Sequence, residues 1–123
     1  MAIAYTRKTD RVTVWHADDP AYEQAGGGDL SGVVVQTDHP APAGVTLFEL
    51  RPLNSAERIR SMIRDGQGEA LHAAIVSVSV DGQTLSADER RDLIDGMPVH
   101  IALDLFTACA AVTDGPFLKA RSR

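Results

Sequence analysis

An α+β fold is predicted, with short strands and hairpins toward the N-terminus followed by a bundle of about four helices. Three observations carry the prediction. Up to residue 50, β-branched and aromatic residues come in short runs separated by glycine and proline. Beyond Pro52, apolar residues recur at helical spacing behind two capping-box signals. A long apolar segment, "PVHIALDLFTACAAVTDG", then supplies a final helix for the others to pack around.

The strands come first. "IAYTR" and "RVTVWH" are the first two candidates; in the second, Val12, Val14 and His16 share one face and Arg11, Thr13 and Trp15 the other. "DDPAYEQAGGGDLSG" interrupts them, because Asp-Pro favours a turn and Gly26, Gly27 and Gly28 form a hinge. "VVVQT" is a third strand. "DHPAPAG" is an extended connector, since Pro40 and Pro42 push their preceding residues out of the helical region. "VTLFEL" is a fourth strand, alternating Val45, Leu47 and Glu49 against Thr46, Phe48 and Leu50.

The helices follow. Asn54 and Glu57 stand at capping-box spacing, and Ile59, Met62 and Ile63 recur on one face before Gly66 and Gly68, which are expected to end the helix. "EALHAAIVSVSV" mixes two signals. Leu71, Ile75 and Val78 fall on one helical stripe, whereas "IVSVSV" alternates as a strand does; helix is expected for the first two turns. "DGQTLS" turns the chain, and Ser86 with Glu89 caps a short helix, "ADERRDLID", ended by Gly96. Pro98 suits the first turn of the last helix, and Gly115-Pro116 stops it. That helix is apolar on two faces, Val99, Leu103, Phe106 and Ala110 on one and Ala102, Leu105, Cys109 and Val112 on the other, as expected of a central helix or one buried in a partner.

Composition sets the function classes. With 123 residues and 44% hydrophobic content, the chain can bury a core of its own. Aromatics are only 5%, so that core is mostly aliphatic, with Trp15, Phe48, Phe106 and Phe117 as its large pieces. A net charge of -5 argues against broad nucleic-acid binding, which needs a surplus of Lys and Arg. Lys119, Arg121 and Arg123 form a local basic tail, read as a solvated end. The single cysteine, Cys109, excludes an internal disulfide and is read as a core residue. The opening residues hold no charged segment followed by an apolar one, and no apolar run is long enough for a membrane span; a reducing cytoplasm is the expected compartment.

Each candidate for chemistry meets a structural alternative. His16, Asp18 and Asp19 lie close together, but a metal site needs converging ligands from elsewhere; a polar strand end before a turn is the expected role. Glu69 and His72 form a Glu-x-x-His half-motif of di-iron bundles without a second copy, and His100 and Asp104 form a differently ordered helical pair; both are read as surface pairs. Cys109 has no neighbouring charge to make it a nucleophile, the serines lack an elbow or triad, and the triple glycine lacks the frame of a phosphate loop. The charged helix "ADERRDLID" nearly balances its acids and bases, which suits a solvated face. No catalytic, cofactor or metal residue is assigned, and the chain is expected not to be an enzyme.

The order of the second half carries a resemblance. The phrase "FELRPLNSAER" opens a helical region; "GEALHAAIVSV", the turn-and-cap "DGQTLSADE", the break "GMP" and a last apolar helix follow. From Phe48 to Val112 this resembles small morphogenesis proteins of tailed bacteriophages and prophages, the tail assembly chaperones in particular. The Gly/Pro-rich stretch at 26–44 then divides the chain into a β-rich region with its connector, 1–47, and a helical domain, 48–123. The β-rich front departs from the mostly helical chaperones. The resemblance implies a protein without cofactors that coats the tape-measure protein in the host cytoplasm and forms oligomers or larger assemblies, with no nucleic-acid or membrane partner. The alternative is a structural subunit of the mature virion, in capsid, neck or tail. Apolar helix faces bearing Ile59, Met62, Leu71, Ile75, Leu103 and Phe106 are expected to pack together, with leftover surface offered to a partner.

Overall fold

A computed structural model describes residues 11–62 and 66–113. The first strand candidate, Ile63, Arg64, the Gly115-Pro116 stop, Phe117 and the basic tail lie outside the described residues. The fold is α+β. In chain order its elements are β1 (Val12–His16), α1 (Pro20–Gln24), β2 (Val33–Val35), β3 (Thr46–Leu50), α2 (Ser55–Ser61), α3 (Gly66–Ala74), β4 (Ile75–Val80), β5 (Gln83–Thr84), α4 (Ala87–Gly96) and α5 (Val99–Thr113). The strands form one antiparallel sheet in the order β2-β1-β3-β4-β5.

Register explains the two faces of this sheet. Val14 pairs with Phe48, and Phe48 with Val78, so three buried apolar side chains line up across β1, β3 and β4 on one face. α3, α4 and α5 cover that face through Leu71, Ala74, Ile94, Leu105 and Cys109. On the other face Trp15, paired with Val34, packs with Val45, Leu47 and Tyr22. The Trp15 indole N–H donates to the His39 carbonyl at 2.8 Å, and its ring lies 5.1 Å from that of Tyr22, centroid to centroid. The proline connector therefore closes the second face. The boundary drawn at 47/48 falls within β3, whose neighbours are β1 and β4, and side chains from both sides of it share one core.

Local chemistry accounts for the ends of elements. Both expected capping boxes form: Asn54 Oδ1 accepts the Glu57 N–H at 2.8 Å and Glu57 Oε1 accepts the Asn54 N–H at 3.0 Å, with Ser86 and Glu89 doing the same at 3.2 and 3.1 Å. The Asp-Pro turn is more than a turn. Asp19 caps the short helix α1 by accepting the Ala21 N–H, Pro20 occupies its first position, and the other Asp19 oxygen accepts the Thr46 N–H of β3 at 2.9 Å. Asp81 and Gly82, both at positive φ (52° and 80°), make the two-residue turn that returns the chain as β5, a strand not expected from sequence.

One expectation changes, and one mixed signal is resolved. Gly66 does not end α2; it begins α3, where its Cα approaches the Arg60 carbonyl so closely that any Cβ would collide with that oxygen. Helix also gives way to strand immediately after Ala74. Ile75 opens β4, and the register shifts between Glu49 and Leu50, which pair with Ser77 and Ile75, so Val76 is the extra residue of a bulge. The stripe of Leu71, Ile75 and Val78 is buried as expected, but it is built from one helix and one strand.

Candidate functional site

Two features gather the residues singled out above: a histidine–aspartate cluster where α5 meets β1, and the apolar faces of α2 and α5. The cluster begins with alternation in β1, which turns His16 to the same side as Val14, toward α5. His16 is 2% exposed. Its Nδ1 accepts the Asp18 backbone N–H at 3.0 Å, which assigns the proton to Nε2, and Nε2–H donates to Asp104 Oδ2 at 2.7 Å. His100, one helical turn before Asp104, reaches back so that its Nε2 lies 3.2 Å from Asp18 Oδ2. The two rings meet edge to face with centroids 6.1 Å apart. The two pairs thus cross-link β1 and its following turn to α5 reciprocally, histidine to aspartate in both directions.

This arrangement has defined chemical limits. Both His16 nitrogens are engaged, one as acceptor and one as donor, so the ring presents no lone pair to a substrate. Among the described residues no group of three or more His, Cys, Asp or Glu side chains could hold a metal ion. A cleft of about 140 Å³ opens beside His16, lined also by Asp19, Thr46, Phe48, Met97 and Ile101. Its volume is below the range of roughly 300–1,000 Å³ typical of small-molecule sites and suits a single side chain. Asp19 in this wall is already committed to Ala21 and Thr46.

The other candidates resolve into structural roles. His72 does not pair with Glu69; its Nε2 lies 2.7 Å from Asp95 Oδ1 and ties α3 to α4. His100 and Asp104 do not pair with each other but with Asp18 and His16. Cys109 is buried, and burial pushes its thiol up to about 12, far from thiolate formation at neutral pH. Arg51, which sequence reasoning passed over, forms a bidentate pair with Glu57 at 3.0 and 2.9 Å and donates to the Pro52 carbonyl. The hydrogen bond from Arg51 to Glu57 raises the guanidinium pKa further, so the pair stays ionised while Glu57 also caps α2. The signal was present as Arg51 just before a capping box whose Glu57 has a second oxygen to spare.

The apolar faces divide. Ile59 on α2 and Met62 at its C-cap are 64% and 69% exposed, and Val99 and Leu103 on α5 are 73% and 53% exposed. Leu71 and Ile75 are buried in the core and offer nothing to a partner: Leu71 faces the sheet from α3, and Ile75 pairs with Leu50 as the first residue of β4. Phe106 is half-buried against the same core. Val99, expected only as part of an apolar helix face, is the most exposed large apolar side chain among the described residues. A second cleft, about 220 Å³, separates α2 from α3 between Arg60, Glu69, Ala70 and Ala73. No single helix among the described residues is long and apolar enough to cross a membrane. Comparison of the chain with protein-family models, with curated proteins and with solved structures found no match.

Proposed function

We propose that this chain is a non-enzymatic protein-binding domain of bacteriophage tail assembly, resembling the tail assembly chaperones and acting on the tape-measure protein in the bacterial cytoplasm. The observation that carries the protein-binding part is the exposure of Ile59, Met62, Val99 and Leu103 on α2 and α5. Burying a large aliphatic side chain is worth about 1.5–3 kcal/mol relative to leaving it in water, so four such residues are a substantial incentive to associate. An amphipathic helix laid along α2 or α5 would remove them from solvent. The net charge of -5 favours a protein partner over nucleic acid and keeps the free chain soluble. The assembly role rests on the order of elements from Phe48 to Val112 and on the phrase "FELRPLNSAER".

Co-expression with the tape-measure protein encoded in the same gene cluster tests this. The expected result is a soluble complex that is lost when Ile59 and Leu103 are both replaced by Asp. Stoichiometric recovery of the chain in purified, mature particles would overturn the chaperone role and establish the virion-subunit alternative.

A further inference from the structure

Three sulfur atoms lie among the described residues, and the fold treats each differently. Cys109 is buried, and its thiol, pushed up to about 12, gives almost no thiolate for an oxidant at neutral pH. Met97, at the end of α4, is half-buried, packs against the main core and lines the cleft shared by Phe48, Leu93 and Ile101. Met62 stands in water. It is the C-cap of α2, its backbone N–H donates to the Ile59 carbonyl at 3.1 Å, and its side chain is 69% exposed. Neither core cluster includes it. Ile59, three residues earlier and 64% exposed, is its neighbour on the surface, so the thioether forms part of the exposed apolar face of α2.

We infer that Met62 is a reversible oxidation site, at which hydrogen peroxide turns off the apolar face of α2 without disturbing the fold. The sulfur lone pair attacks one peroxide oxygen, the O–O bond breaks, and the second oxygen leaves as water; the thioether is oxidised to a sulfoxide and the peroxide is reduced. A thiol-dependent sulfoxide reductase reverses the step, turning two thiols into a disulfide while the oxygen leaves as water. The sulfoxide is a polar side chain in place of a flexible apolar one. At Met62 the exchange takes place in solvent and removes no core packing, so only the surface changes. At Met97 the same product would set a polar group among Phe48, Leu93 and Ile101 and weaken the core. One site is a switch and the other is damage. The switch has a consequence for binding because α2 is taken as a protein-binding surface, as proposed above.

Dilute hydrogen peroxide added to the full-length chain at neutral pH, followed by peptide mapping, tests this. One added oxygen is expected at Met62 well before Met97. At that stage the urea midpoint is expected to equal that of the untreated chain, while retention on a hydrophobic-interaction column falls. Met62→Leu keeps an apolar side chain of similar volume without sulfur, and is expected to hold its retention through the same treatment. Methionine sulfoxide reductase with dithiothreitol is expected to restore the retention of the wild type. Oxidation at Met97 first, a urea midpoint that drops with the first oxygen, or unchanged retention would each overturn the inference. Equal capture of the tape-measure protein by the untreated and the singly oxidised chain would overturn it too, and leave the proposed function standing. An untreated chain that captures none, yet oxidises first at Met62 with lowered retention, would overturn the proposed function alone.

Discussion

At the residue scale, Gly66 has the least room for a side chain of the described glycines. Its lack of a Cβ, not a positive φ, is what the fold uses: the start of α3 rests against the Arg60 carbonyl. Gly66→Ala is expected to destabilise the protein, although alanine is ordinarily the better helix former by about 1 kcal/mol; a raised urea midpoint would show that the α2–α3 junction yields. Leu105 is fully buried, whereas its neighbour Phe106 is only partly so. Leu105→Ala is expected to cost about 2–5 kcal/mol by denaturant titration, and Phe106→Ala less despite the larger ring. Cys109, with its thiol pushed up to about 12 by burial, is expected to resist thiol reagents at pH 8 until the protein is unfolded.

At the element scale, α2 and α4 are started by side chains close in sequence, which is why their N-termini were legible. Asn54 with Glu57 and Ser86 with Glu89 need only local geometry to bond. The Glu89 carboxylate accepts hydrogen bonds from Ser86, which hold its pKa below the ordinary value of 4.5. A carboxylate with a lowered folded-state pKa stabilises the fold above its unfolded pKa and loses that contribution as pH falls through the folded one. Glu89→Gln is therefore expected to lower stability at pH 7 and to match the wild type once both are measured well below pH 4, a convergence visible in thermal melts. The change from α3 to β4 was harder to place. "AAIVSVSV" satisfies a helical stripe and a strand alternation at once, and the choice was made by β3, which offers Leu47, Phe48 and Glu49 as partners for Ser79, Val78 and Ser77.

At the scale of the whole molecule, β3 joins what composition divides. It pairs with β1 from the first region and with β4 from the second, while Trp15 lies on the far side of the same sheet. Trp15 fluorescence and far-ultraviolet circular dichroism are therefore expected to report one coincident urea transition. Separate midpoints would show that residues 1–47 and 48–123 unfold as distinct units. The reciprocal pairs His16–Asp104 and His100–Asp18 act at this scale too, anchoring the most apolar helix to the first strand of the sheet.

The sequence by itself determined the class of the fold, the strands around Trp15 and Phe48, both capping boxes and the burial of Cys109, because each depends on periodicity or on partners within a few residues. Only the tertiary structure decided which apolar side chains remain in water. Leu71 and Leu103 carry the same side chain, each within an apolar stripe of its helix, and their near neighbours in sequence do not separate them. One faces a sheet assembled from residues far away in the chain, and the other faces outward from a helix whose opposite side, at Leu105 and Cys109, had already filled the core. The partners of His16 and His100 were hidden for the same reason, since a contact across 88 residues leaves no mark on spacing.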